Sequence, residues 1–351
     1  MASKQGVTIR DVARDVGMSR QTVSRVLNNG PNVKPSVRDK VNEAIERLGY
    51  VPNISARRMR GSRSYLILAI NDRQRTFENW RAGRGNDWVD QMLFGGMTEC
   101  EKHGYHMVFE LIDTEPTKAQ EQLFKVISEL RPDGVILTPP HSDNSRLTDL
   151  LKDQGIACAR VGRREGGEFV DVCMDECGAG QRVTHHLVER GHSRIAYLAG
   201  SPDYGTSVMR LDGYRAALSE CGLEFRKDWI GKGDFQFDTA SVVAHNWLNG
   251  ADRPTAIIAD NDQMAFAVLH TVERVGLRIP EDLALISFED TPGVRLCVPP
   301  MTAIRQPTAA MISRACEGLI AASSGEDACG VFEAPFELIE RTSTAPSFSL
   351  S

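Results

Sequence analysis

The sequence is short of the features that mark several large protein classes. No apolar run approaches the roughly 18–20 residues that a membrane-crossing helix needs. The first residues, MASKQGVTIRDVARD, hold no apolar stretch and carry acids, so they are not read as a secretion signal, and a cytoplasmic location is expected. The cysteines at 100, 158, 173, 177, 221, 297, 316 and 329 form no Cys-x-x-Cys pair. Cys173 and Cys177 lack a second ligand pair at zinc-site spacing, for which His185 and His186 are a poor substitute. They are read as reduced thiols, and no metal site is expected. There is no Gly-x-x-x-x-Gly-Lys-Ser/Thr phosphate loop, no His-Glu-x-x-His and no Gly-x-Ser-x-Gly elbow. Gly178-Ala-Gly180 is a fragment of a dinucleotide loop, but Val183 stands where the third glycine belongs. No catalytic residue and no cofactor are therefore expected.

What is present is a charge polarity. The 351 residues suggest two or three domains. Residues 1–64 hold 13 Lys/Arg and 5 Asp/Glu, a balance of +8; the remainder holds 28 and 42, a balance of −14. A compact basic head on an acidic body suggests that the head meets a polyanion and the body does not.

The head reads as three short helices. Thr8 can cap a first helix carrying Ile9, Val12, Ala13 and Val16 on one face, with Asp11 at the positive end of its dipole, and Gly17 ends it. Ser19 caps a second, Arg20 to about Leu27, with Val23, Val26 and Leu27 inward. A third starts near Pro35-Ser36 and runs to Leu48, with Val37, Val41, Ala44, Ile45 and Leu48 at helical spacing. Two short helices around a tight glycine turn make a helix-turn-helix. The outer face of the second carries Arg20, Gln21, Ser24 and Arg25. Arg can clamp guanine and Gln adenine in the major groove, and Ser suits phosphate contacts. A polar helix face is usually only a solvated one; here it coincides with the basic balance and the helix-turn-helix frame, so DNA reading is expected.

TIRDVARDVGMSRQTVSRVLN, then VRDKVNEAIERLGYVPN and SARRM, resemble the head of the lactose-repressor (LacI/GalR) family of bacterial transcription regulators. The resemblance puts Arg20, Gln21 and Arg25 on base-reading positions. It puts Thr8, Ser19, Ser24, Asn28 and Asn32 on positions of backbone or edge contacts. It also makes Pro52-Asn-Ile-Ser-Ala-Arg-Arg-Met-Arg-Gly61 a hinge helix that enters the minor groove beside its dimer mate. There Asn53, Ala56 and Arg57 join the DNA contacts, and Met59 takes the position of an apolar wedge, usually leucine, that kinks the duplex. A two-turn segment of this kind is marginal alone.

From Ser62 onward, short apolar strands alternate with amphipathic helices. Strands are expected at 65–70, 105–111, 134–138, 157–161, 194–200, 255–260 and 283–288, with helices near 88–103, 117–130, 178–190, 208–221, 239–249 and 262–276. This α/β pattern implies parallel sheets covered on both faces, and so many strands imply two doubly wound lobes. The expected division is a head at 1–50, a hinge at 51–62 and a body at 63–345. Within the body, the N-lobe takes about 63–162 and 292–323, and the C-lobe about 163–291 and 324–345.

Ligands of such sheets bind beyond the carboxyl ends of the strands. Those ends bring Asn71, Arg210, Asn261 and Glu289 toward one cleft, with the aromatics Trp88 and Phe235. Amides, carboxylates and flat rings together suit a polyol. The bland alternatives are an internal ion pair for Arg210, a helix cap for Asn261, turn residues at 289–290 and a core tryptophan. Arg73, Arg75, Arg81 and Arg84 are read as a solvated lid loop, the alternative being selection of an anionic ligand such as a sugar acid.

HHLVERGHSRIAYLAG, SVMRLDGYRAAL, ADNDQMAFAVL, GLRIPEDLALISFEDT and TAIRQP extend the resemblance into the family's effector-binding body, itself similar to periplasmic sugar-binding proteins. It implies effector contacts at Arg210, Asn261 and Glu289 and stacking at Phe235. Glu289 departs from the family's usual Asp, and one more methylene moves the carboxylate by about 1.5 Å. The resemblance further implies a homodimer on a palindromic double-stranded operator, controlled allosterically by a small effector such as a sugar. The closing ELIERTSTAPSFSLS has no leucine heptad, so a dimer rather than a tetramer is expected. The rival readings are an α/β enzyme and a periplasmic-type sugar-binding protein without DNA function.

Overall fold

A computed structural model describes residues 7–27, 30–31, 33–50, 63–83 and 85–345. It divides into two compact units, meeting at Ser64 and Tyr65 in sequence.

The first unit holds helices Ile9–Asp15, Arg20–Leu27 and Pro35–Leu48. Val12, Ala13, Val16, Val23, Val26, Val41 and Ala44 form its core, one small face from each helix. The caps follow local chemistry. The Thr8 amide and hydroxyl both donate to the Asp11 carboxylate, at 2.9 and 2.6 Å, and these bonds lower the Asp11 pKa. Ser19 Oγ accepts from the Thr22 amide at 3.1 Å. Gly17 makes the tight turn at φ 66°, a conformation open to glycine at little cost.

The second unit holds two six-stranded sheets. The strands are β1 Leu66–Asp72, β2 His106–Ile112, β3 Gly134–Leu137, β4 Ala157–Val161, β5 Val170–Cys173, β6 Ile195–Ala199, β7 Ile230–Lys232, β8 Ala256–Ala259, β9 Ala284–Glu289, β10 Thr302–Arg305, β11 Gly330–Glu333 and β12 Glu337–Ile339. The N-lobe sheet runs β11-β5-β4-β3-β1-β2 and the C-lobe sheet β12-β10-β9-β8-β6-β7. All pairs are parallel except β10 with β12. Central strands such as β1, β3 and β8 are buried along their whole length, as sheets covered on both faces require.

Two expectations are corrected. The lobe boundaries shift, because β5 and β11 pair within the N-lobe sheet and β10 pairs with β9 in the C-lobe sheet. The chain therefore crosses between lobes after Cys173, after Arg305 and after Glu333, rather than near 162, 291 and 323. Residues 73–82 are a helix, Arg73–Ala82, and not a loop: Asp72 caps it by accepting from the Arg75 amide at 3.1 Å, and Gly83 ends it in left-handed conformation.

The Gly178-Ala-Gly180 fragment lies inside helix Glu176–Glu189. A Cβ on Gly180 would lie 2.1 Å from the Arg210 carbonyl oxygen, and one on Gly213 would lie 2.0 Å from that of Cys177. These glycines let helices Glu176–Glu189 and Gly205–Glu220 touch backbone to backbone.

Near the C-terminal end of the body, the fully buried Asp290 carboxylate gathers Arg341, Arg305 and Arg295, at 2.5, 2.9 and 3.2 Å. Removing one partner of a buried ion cluster leaves uncompensated charge. Asp290→Ala is expected to cost about 3 kcal/mol, the low end for such a loss because Arg295 and Arg305 can turn to water. Urea unfolding of the variant measures it; a change below about 1 kcal/mol would show that the cluster contributes little.

Candidate functional site

Strand ends of both sheets converge on one cleft between the lobes, with about 1030 Å³ of open space including its mouth. All six cleft residues expected from sequence, Asn71, Trp88, Arg210, Phe235, Asn261 and Glu289, line it. They do not stand there equally free.

Arg210, in the second turn of helix Gly205–Glu220, is buried. Its Nε donates to Glu176 at 2.6 Å, and one terminal nitrogen donates to the Asp260 carbonyl and carboxylate at 3.0 and 3.1 Å. Its guanidinium lies 4.6 Å from the Phe288 ring centre. Burial opposes its charge, but Glu176 and Asp260 outweigh that and raise its pKa. Asp260 is itself saturated by Tyr197, Gly200 and Ser207. The internal ion pair and the cleft position are thus both true of Arg210. Asn71 is similarly engaged: its Nδ2 donates to Thr76 at 2.9 Å and its Oδ1 accepts from Thr138 at 2.7 Å. Asn261 caps the following helix by accepting from the Met264 amide at 2.9 Å, and donates weakly to the Phe235 carbonyl at 3.4 Å. Trp88 stands in the first turn of helix Asp87–Lys102 on the cleft wall, half-buried.

Glu289 differs. It ends β9 at φ 107°, and Asp234 and Phe235 also sit in left-handed conformation, at φ 51° and 55°. Such strain in non-glycine residues collects where function over-determines the backbone. The Glu289 carboxylate accepts one long bond, 3.4 Å from the Asp262 amide. Burial raises its pKa well above the usual carboxylate range, and Asp262 adds to this. Burial likewise pushes Asp262 up to about 7.

Arg75, expected in a lid loop, spans the cleft mouth. From the N-lobe it donates to the Asp234 carbonyl at 2.6 Å, the Asp234 carboxylate at 3.1 Å and the Tyr204 hydroxyl at 3.3 Å. Its guanidinium lies 5.1 and 5.3 Å from the Phe235 and Tyr204 ring centres. Tyr204 in turn donates to Asp72 at 2.7 Å, and Gln236 to Glu78 at 3.1 Å. Arg73 and Arg81 stack on Phe77 instead, and Arg84 lies outside the described residues. The arginine richness is visible in the sequence; that one of these arginines reaches 159 residues away is not. Arg75→Ala should weaken binding of a cleft ligand by about tenfold, the worth of one or two charge-assisted bonds, and increase the radius of gyration of the free body. Unchanged scattering and affinity would remove Arg75 from lobe closure.

In the head, Arg20, Gln21 and Arg25 are exposed on the second helix, and Ser24 is half-buried beside them. The Thr8 and Ser19 hydroxyls are occupied in capping. Asn28, Asn32, Asn53, Ala56, Arg57 and Met59 lie outside the described residues.

A basic three-helix head joined to a two-lobed α/β clamp defines a ligand-responsive DNA-binding regulator. Residues 8–53 match the bacterial regulatory proteins of the lacI family, and residues 184–344 a periplasmic binding protein-like domain. The chain is 32% identical to the HTH-type transcriptional regulator CelR of Thermobifida fusca, over 89% of this chain and 90% of that one. It is 30% identical to the HTH-type transcriptional repressor PurR of Aliivibrio salmonicida, over 86% and 87%. The solved CelR–cellobiose complex superposes with TM-score 0.71 at 29% identity, covering 96% of this chain and 99% of that one. A lac repressor dimer bound to operator shares the fold, with TM-score 0.80 at 23% identity and coverage of 97% and 99%. The chain belongs to the lacI family of bacterial regulatory proteins and is a transcriptional regulator.

Proposed function

We propose that this regulator is a repressor that binds a palindromic operator as a homodimer and responds to a small hydroxylated effector, a sugar or oligosaccharide, held between its lobes. The observation that carries the effector reading is the cleft itself: strand ends of two sheets, strained acids, and the aromatics Trp88, Tyr204 and Phe235 around one space. The cellobiose complex of a relative at 29% identity supports a saccharide.

Arg20, Gln21 and Arg25 read bases, while Thr8, Ser19, Ser24, Asn28 and Asn32 stand at positions of backbone or edge contacts. Residues 51–62 act as the hinge, with Asn53, Ala56 and Arg57 on DNA and Met59 as the minor-groove wedge. Dimerisation has support in the large apolar side chains left exposed on the body, Phe94 at 65%, Met97 at 58%, Leu296 at 81% and Val298 at 87%. Two heads related by a two-fold axis then match two half-sites. Effector binding shifts the angle between the lobes, and with it the spacing of the heads. The absence of a membrane-length apolar helix among the described residues fits a regulator working in the cytoplasm.

Arg20→Ala and Gln21→Ala should each weaken specific DNA binding by about 1–3 kcal/mol and relax preference at one base position, measured by fluorescence anisotropy on duplexes selected from a random pool. Equal loss on all sequences would mark these side chains as phosphate contacts only. Met59→Ala should weaken binding and reduce DNA bending; an unchanged bend would leave the segment a plain basic linker. Trp88→Ala should blunt the effector response at unaltered DNA affinity, and an intact response would take Trp88 out of the binding wall.

A further inference from the structure

The charge balance of the cleft points beyond a neutral sugar. Five carboxylates line it, Asp72, Asp87, Glu176, Asp260 and Glu289, against two described arginines, Arg75 and Arg210. Both arginines are already in ion pairs, Arg210 with Glu176 and Asp260 and Arg75 with Asp234, and Arg75 also donates to the Tyr204 hydroxyl. An anionic ligand such as a sugar acid would meet no unpaired cation among these residues. Three of the carboxylates are likewise engaged, Asp72 by Tyr204 and the Arg75 amide, Glu176 by Arg210, and Asp260 by Arg210, Tyr197, Gly200 and Ser207.

Two carboxylates are left. Asp87 begins helix Asp87–Lys102 in the N-lobe, and Glu289 ends β9 in the C-lobe. Neither takes part in an ion pair among the described residues, and Glu289 holds only its long bond to the Asp262 amide. A cation would hold both carboxylates ionised, and an ionised carboxylate is an acceptor only; these two acids stand on opposite lobes, and the uncharged Asn79, Thr206 and Gln306 share the cleft lining with them. Beside Asp87, the buried Nδ2 of Asn86 has no partner and offers a donor, and Trp88 supplies a flat wall. A compact ammonium with several donors fits between two carboxylates, while hydroxyls around it fit the amide and the ring.

We propose that the effector is an amino sugar or a similar hydroxylated amine, whose protonated nitrogen is held between Asp87 of one lobe and Glu289 of the other. This rests on the reading of the cleft as a saccharide site and narrows it. A cation bridging the two lobes would also favour their closure, because it gains its second partner only when they approach. The acids already carry the strain of lacking one: burial raises both pKa values, with Asp90 adding at Asp87 and Asp262 adding at Glu289. The extra methylene of Glu289 lengthens its reach into the cleft.

Isothermal titration of the full-length protein at pH 7 with glucosamine and its β-1,4-linked dimer, against glucose and cellobiose, tests this. The amino sugars are expected to bind at least about tenfold more tightly, as a charge-assisted bond to each acid implies. Glu289→Gln and Asp87→Asn, each checked by thermal melting to be folded, are expected to remove that preference. Equal or tighter binding of glucose or cellobiose to the wild type would overturn the amine while leaving the saccharide reading intact. A preference that survives both substitutions would overturn the assignment to these acids. Failure of all four sugars to bind at millimolar concentration would overturn both.

Discussion

The buried ion cluster of Arg210 with Glu176 and Asp260 is the constraint around which the cleft is organised. It ties helix Gly205–Glu220 to the start of helix Glu176–Glu189 and to the end of β8, at the floor of the C-lobe side. It exists only because Gly180 and Gly213 let the two helices approach backbone to backbone. Its charge arithmetic then shapes the site. One guanidinium shared by two buried carboxylates has no charge left over for a ligand anion, so the discriminating groups are the acids it does not pair with, Glu289 above all.

A second constraint acts across the cleft. Arg75, Tyr204, Asp72 and Asp234 join the lobes at the mouth, while the chain itself crosses between lobes three times, after Cys173, Arg305 and Glu333. Three short connections permit rotation with little backbone cost, and the polar latch holds one end of that rotation. A ligand seated between Asp87 and Glu289 bears on the same equilibrium, and this is how local chemistry becomes a change in lobe angle.

Much of this architecture is legible in the sequence. The head is readable because three short helices must place small apolar residues at helical spacing, and Val12, Val23 and Val41 do so. The long central strands are readable as apolar runs. The strands of three or four residues, such as Val170–Cys173, Ile230–Lys232 and Glu337–Ile339, carry too few side chains to show a period, so the lobe boundaries shift with them. Helix Arg73–Ala82 reads as a loop because it buries only Thr76; its order comes from the Asp72 cap and from contacts across the cleft, neither visible as local pattern. At the site, the residues chosen at strand ends all line one cleft. The same residues do not reveal that Asn71 and Arg210 are largely engaged within their own lobes while Glu289 is not.

If cleft and head share one equilibrium, ligand and DNA must each change the other's affinity by the same factor. The most direct measurement is the affinity of the protein for a selected palindromic duplex with and without saturating cleft ligand, paired with ligand affinity with and without DNA. The two ratios are predicted to be equal and to lie at about 5–150-fold, as reciprocal coupling between two sites requires. Identical DNA affinity with and without a ligand shown to occupy the cleft would contradict that coupling.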